Sequence, residues 1–125
     1  MSTNLEIVKS MYAQGPPAVL AALAPDVEWT EAAGFPYAGT YRGPDAVAMN
    51  VFARLGGEWD GFRVDVEAYH DAGDTIITRG FYHGAYKKTG RSMKASFAHV
   101  LTLKEGKVVR FVQYVDSRKV WEAME

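Results

Sequence analysis

The chain contains no cysteine among its 125 residues, which excludes disulfides and thiolate-held metals. His70, His83 and His99 are dispersed, without a His-x-x-x-His spacing, so no metal centre is expected, and no other cofactor either. Apolar runs of membrane-spanning length are absent, and the opening Met1-Ser-Thr-Asn-Leu-Glu6 lacks the basic and apolar regions of a secretory signal. The expectation is a soluble cytoplasmic protein with no membrane partner. A surplus of positive charge is missing too: 14 Lys and Arg stand against 15 Asp and Glu, without basic clusters. That leaves no electrostatic case for nucleic acid. Gly80, Gly84, Gly90 and Gly106 read as turn or packing glycines, because no Gly-x-Gly-x-x-Gly joins a strand to a helix. The expected partner is a small ligand that is not a polyanion.

What is present is ordinary globular material, 48% hydrophobic and 23% charged, enough for one core. Without repeats or linkers, residues 1–125 are expected to form one domain. Thr3 and Glu6 make a capping-box pattern ahead of Leu5, Ile7, Val8, Met11 and Tyr12, an amphipathic helix ended by Gly15-Pro16-Pro17. A short helix over Ala18 to Leu23, a strand from Val27 to Glu31, a loop from Ala32 to Arg42 and a third helix from Ala46 to Leu55 should follow. Next come four strands. Phe62, Val64, Val66 and Ala68 alternate with polar residues, and further strands cover Gly80 to Tyr86, Ala95 to Leu103 and Val108 to Asp116. Helices followed by a meander predict an α+β fold with the helices on one face of a largely antiparallel sheet.

Strand residues alternate faces, so assumed turn lengths convert into predicted directions. A three-residue loop Asp71-Ala-Gly73 sets Ile76, Thr78, Gly80 and Tyr82 on the inner face, with Asp65 beside Arg79 on the other. A two-residue Thr89-Gly90 turn places Tyr82 opposite Phe97 and Gly80 opposite His99, leaving room for a ligand beside the imidazole. A three-residue loop Lys104-Glu-Gly106 continues the inner face through Val109, Phe111, Gln113 and Val115. The outer face then carries Ile77, Phe81, Val100, Val112 and Tyr114, apolar enough to predict a homodimer through that side of the sheet.

Several stretches carry a resemblance over essentially the whole chain: Leu23-Ala-Pro-Asp-Val-Glu-Trp29, Tyr41-Arg-Gly-Pro-Asp-Ala46, Thr89-Gly-Arg91, Phe97-Ala-His-Val100, Glu105-Gly-Lys107 and Gln113-Tyr-Val-Asp116. Together they resemble the SnoaL-like polyketide cyclases and ketosteroid isomerase-like proteins of the nuclear transport factor 2-like superfamily. The resemblance implies a cone: a curved mixed sheet wrapped around three N-terminal helices, a short C-terminal helix and a central apolar pocket. It implies no single chemistry. His99 matches the pocket histidine of the cyclases and the protonated aspartic acid of the isomerase. Gln113 falls where the cyclases place their aspartate, and an amide cannot exchange a proton near neutral pH. The isomerase's general base belongs in Val27 to Glu31, where only Glu31 is a carboxylate on the face of Val27 and Trp29. Its first-helix tyrosine has no clean counterpart, Tyr12 lying too near the helix end.

The candidate catalytic residues are therefore His99, Glu31 and Asp116, with Gln113, Tyr82, Trp29, Phe97, Phe52 and Tyr12 as substrate-binding residues. Each also has a plainer reading. His99 is either an acid or base in an apolar cavity or a core histidine satisfied by tyrosine or backbone. Glu31 is a base strengthened by burial beside Trp29, or a strand-end carboxylate reaching solvent. Asp116 reaches the cavity mouth across a ligand from His99, or caps the helix Arg118 to Met124. The expected function is cofactor-free proton transfer of isomerase, cyclase or hydratase type on a small apolar carbonyl compound. The alternative is a non-catalytic binding or interaction domain that keeps the pocket.

Overall fold

Residues 3–125 are described by the structure, a computed structural model. Met1 and Ser2, which open the segment read for a secretory signal, lie outside the described residues. The capping box forms as read: the Glu6 N–H donates to Thr3 Oγ1, and the Thr3 N–H to the Glu6 carboxylate. Helix α1 (Asn4–Gln14) buries Val8 and Met11 and stops at Gly15, whose φ of 83° suits glycine. Helix α2 (Pro16–Ala22) starts on Pro16 and runs directly into strand β1 (Leu23–Glu31), longer at its front than expected.

Two local expectations fail. Within the expected loop, Gly39–Arg42 forms an edge strand, β2, antiparallel to the end of β1. The third helix covers 44–58: α3 (Pro44–Val47), a wide π turn (Ala48–Phe52) and α4 (Ala53–Glu58). It passes Gly56-Gly57 because Val47, Val51 and Leu55 give it a continuous buried stripe, and packing outweighs the roughly 1 kcal/mol that each glycine costs a helix. No helix among the described residues is long and apolar enough to cross a membrane.

Strands β3 (Trp59–Ala72), β4 (Thr75–Tyr86), β5 (Ser92–Lys104) and β6 (Lys107–Val115) make the expected meander. The curved, open sheet runs β2-β1-β6-β5-β4-β3, every pair antiparallel except β1 with β6. Helix α5 (Ser117–Met124) closes the chain. The inner face reads cleanly along β5, where Met93, Ala95, Phe97, His99, Leu101 and Leu103 are all buried.

The register differs from expectation while the faces survive. The β4–β5 connection spans four residues, closed by Tyr86 N–H on the Arg91 carbonyl, so Tyr82 pairs with Ala95, Gly80 with Phe97 and Thr78 with His99. An even shift keeps every side chain on its side. Turns at Gly73 and at Glu105-Gly106 are tighter than expected, and bulges at 66/68 and 102/103 absorb the difference. The second bulge puts Val108, fully buried, on the inner face instead of Val109. The first turns Tyr69 inward opposite Thr78 and moves Asp65 away from Arg79 to Arg63 and His83. It also explains Gly80. A Cβ there would lie 1.9 Å from the Asp65 carbonyl oxygen, so glycine serves a close strand approach and not a gap beside the imidazole.

Candidate active site

Between the last turn of α1, the 44–58 helix and the inner face of the sheet lies a cavity of about 470 Å³, within the range of small-molecule sites. Its wall is mostly apolar, with Met11, Phe52, Leu55, Phe62, Leu101 and Phe111. Polar groups gather on the sheet side: Tyr12, Glu31, Tyr82, His99 and Gln113. Arg63 also lines it, with a largely exposed side chain held to Asp65 at 3.1 Å. His99, Gln113 and a carboxylate thus share one cavity.

His99 sits on β5 between Phe97 and Phe111, ring centroids 4.2 and 4.6 Å away. Tyr12 Oη lies 2.6 Å from its Nδ1, and Tyr82 hydrogen-bonds its Nε2. Burial pushes the imidazole down to about 3, so it is neutral. Both nitrogens are occupied by tyrosines. Tyr12 continues to Thr78 Oγ1 at 3.0 Å, and burial raises its phenol above the usual range. Burial raises Tyr82 as well, with the nearby Glu31 charge adding to the effect.

Gln113 joins this row to β1. Its Oε1 accepts the Ala32 N–H at 3.0 Å, which turns Nε2 towards Tyr82 Oη, also at 3.0 Å. Ala32 directly follows Glu31, so one amide positions the phenol and the strand end that bears the carboxylate.

Glu31 is 4% exposed. The Trp29 indole N–H donates to its Oε1 at 3.2 Å, and Trp29 itself stacks on Phe111 with centroids 3.6 Å apart. Oε2 is buried with no hydrogen-bond partner. Burial raises this carboxyl from 4.5 to about 7, against the opposing pull of the Trp29 hydrogen bond. A carboxyl that titrates near neutrality and has a bare oxygen in a cavity can accept or return a proton on a bound molecule.

The structure brings together Tyr12, Trp29, Glu31, Phe52, Tyr82, His99 and Gln113 around the cavity. It leaves out two others. Phe97 lies behind the site, stacked on Tyr82 with centroids 4.6 Å apart, and is absent from the cavity lining. Asp116 is exposed, at the N-terminal position of α5 without a side-chain capping bond. Its N–H pairs with the Ser96 carbonyl, one step beyond the Val115–Phe97 pair, and its side chain is absent from the cavity lining. Tyr12, set aside as too near the helix end, reaches His99 all the same. Its spacing of four from Val8 and one from Met11 was the available signal, since it places Tyr12 on the buried stripe. Thr78 and Phe35 were missed as parts of the site: Thr78 was placed on the inner face but given no role there, and Phe35 sits in what reads as a loop from Ala32 to Arg42.

The chain matches the SnoaL-like domain family over residues 6–111. It is similar to the crystal structure of an NTF2-like protein from Burkholderia thailandensis E264, with 48% identity and TM-score 0.96, over 100% of this chain and 99% of that one. An NTF2-like protein of unknown function from Burkholderia pseudomallei K96243 shares 28% identity with TM-score 0.87, over 98% of both chains. TerC, co-crystallized with polyporic acid, shares 23% identity with TM-score 0.87 over 98% of both chains, a likeness of fold alone. No curated protein matches the chain.

Proposed function

This chain belongs to the SnoaL-like domain family, and on that premise we propose that it catalyses proton transfer on a small, largely apolar carbonyl compound, with Glu31 as the base. One observation carries the reading: Glu31, a residue of the cavity lining, carries a buried acceptor, Oε2, without a partner among the described residues. A carbon next to a carbonyl gives its proton to that oxygen. The electron pair of the broken C–H bond forms the C=C of an enolate as the carbonyl π pair moves onto oxygen, and protonated Glu31 returns the proton to the same carbon or, in a β,γ-unsaturated compound, to the far carbon of the dienolate. Return to the same carbon is exchange, and return to another is isomerisation.

The role is Glu31's because His99 offers a ligand no free nitrogen. Apolar walls exclude water from the enolate and keep the carboxyl's proton affinity high enough for the task. Reaction requires ionised Glu31, so the rate should rise with pH through about 7.

The test uses 2-tetralone in D₂O, with incorporation of deuterium next to the carbonyl followed by NMR. Wild-type protein should accelerate exchange over buffer, and Glu31→Gln should lose about 10²–10⁴-fold of that acceleration. Exchange that persists in Glu31→Gln, or a wild type no faster than buffer, would overturn the proposal.

A further inference from the structure

The polar row behind the cavity has one more proton than it has links to place them in. Thr78, Tyr12, His99 and Tyr82 are linked in series, and Gln113 donates to Tyr82 at one end. Neutral His99 carries one ring proton, so one nitrogen donates and the other accepts. Besides the arrangement in which Nδ1–H and Thr78 both donate to Tyr12 and the Tyr12 proton is left over, two arrangements keep every bond and leave the spare proton at an end of the row. In the first, Tyr82 donates to Nε2, Nδ1–H donates to Tyr12, Tyr12 donates to Thr78, and the Thr78 proton is left over. In the second every bond reverses: Thr78 donates to Tyr12, Tyr12 to Nδ1, and Nε2–H to Tyr82, whose own proton is left over. Thr78 and Tyr82 have no further side-chain partner among the described residues.

The left-over proton meets different surroundings in the two cases. Thr78 is fully buried and away from the cavity wall, whereas Tyr82 lines it. A ligand oxygen can satisfy Tyr82 and cannot reach Thr78. An unpaired buried donor is unfavourable, so a ligand with an acceptor beside Tyr82 favours the second arrangement. We infer that His99 is a two-state tautomeric relay: a carbonyl ligand in the cavity selects the Nε2–H form, and this turns the Tyr82 hydroxyl onto the ligand oxygen. No proton is gained or lost. The imidazole proton leaves Nδ1 and one arrives at Nε2 by exchange with water, while each hydroxyl keeps its own and rotates.

Tyr82 is then a catalytic residue that steadies the carbonyl oxygen, and His99, Tyr12 and Thr78 are positioning residues. The inference rests on the cavity being a ligand site, as proposed above. It adds the requirement that the ligand accept a hydrogen bond on the Tyr82 side.

The test records the ¹⁵N spectrum of His99 in protein alone, with 2-tetralone, and with tetralin, which has the same shape and no oxygen. Tetralone should enrich Nε2–H, and tetralin should leave the free-state distribution unchanged. Thr78→Val removes the buried end of the row, so either tautomer leaves its spare proton on a cavity-lining tyrosine, and the free-state tautomer distribution should change without any probe. Tetralone should bind about fivefold more tightly than tetralin, and Tyr82→Phe should erase that margin. A tautomer indifferent to tetralone and to Thr78→Val would overturn the relay while leaving the Glu31 reading intact. A tetralone-driven change of tautomer with exchange unaffected by Glu31→Gln would support the relay and remove the proposed base. Binding of neither probe would overturn both.

Discussion

Two buried polar groups face one cavity from the same sheet, and they differ in how completely they are partnered. On β5, His99 has a tyrosine on each nitrogen and is held neutral by burial. On β1, Glu31 has a partner on one oxygen and none on the other. A fully partnered buried group holds its neighbours in place, and it gains nothing from a ligand except through them. A buried acceptor left bare is unfavourable in the empty protein, and a bound proton or ligand relieves that penalty. On the proposed reading, the histidine that drew the eye in the sequence is the architectural member of the pair, and the glutamate is the reactive one.

Stability against pH should show the contrast most strongly. Glu31's folded value is raised, so its contribution is present below 4.5 and is lost as pH climbs to about 7. His99's is depressed, so its contribution is present above 6.5 and is lost as pH falls towards about 3. Between 4.5 and 6.5 the two slopes oppose one another, and wild-type stability should be nearly flat there. Glu31→Gln removes one slope. Its stability should climb from pH 3 to 6.5, and relative to wild type it should gain about 3 kcal/mol between pH 4 and pH 8. Denaturant midpoints across that range measure it, and parallel curves for the two proteins would break the comparison.

Replacing His99 by Leu should cost less, about 2 kcal/mol, because Tyr12 keeps Thr78 and Tyr82 keeps Gln113, and each phenol loses only one of two bonds. The variant should fold and retain most of its exchange activity towards 2-tetralone while Glu31 is intact. Loss of exchange on the scale of Glu31→Gln, in a protein that melts cooperatively, would move the chemistry back to the imidazole.

These two residues also mark what could be read from the chain. The shared face of Thr78, Tyr82, His99 and Gln113 follows from period-two alternation, and it survived a turn of four residues in place of two because even errors preserve direction. Bulges were not legible. Those at 66/68 and 102/103 change which of two neighbours faces inward, Tyr69 for Ala68 and Val108 for Val109, and nothing local to Glu67 or Val109 announces them. Strand β2 was hidden for a related reason: the four residues Gly39–Arg42 are too few to show a period-two pattern, and they pair with the edge that β1 presents. Tyr12 was placed on the right stripe of α1, but the span from that helix to His99 depends on how the sheet curves. Asp116 lies outside the cavity because it sits between the end of β6 at Val115 and the start of α5 at Ser117, a boundary that period-two alternation does not mark.

Gln113 touches both members of the pair, so its removal tests how separate they are. The Leu variant loses the bond that holds Ala32 N–H and the donor that orients Tyr82, while leaving neither His99 nor Glu31 without its own partner. The expected destabilisation is about 1 kcal/mol, mainly from the Ala32 amide left unpaired in a half-buried position. Kinetically, the end of β1 should loosen. Exchange into 2-tetralone should fall by about tenfold, with the pH at half-maximal rate moving down as water reaches Glu31 and relieves its desolvation. A slower rate with an unmoved pH profile would instead place Gln113's contribution at Tyr82. The double variant Gln113→Leu with Glu31→Gln separates the two routes: if the amide acts through the carboxylate, Gln113→Leu adds almost nothing to the loss from Glu31→Gln, and if it acts through the phenol, the losses multiply.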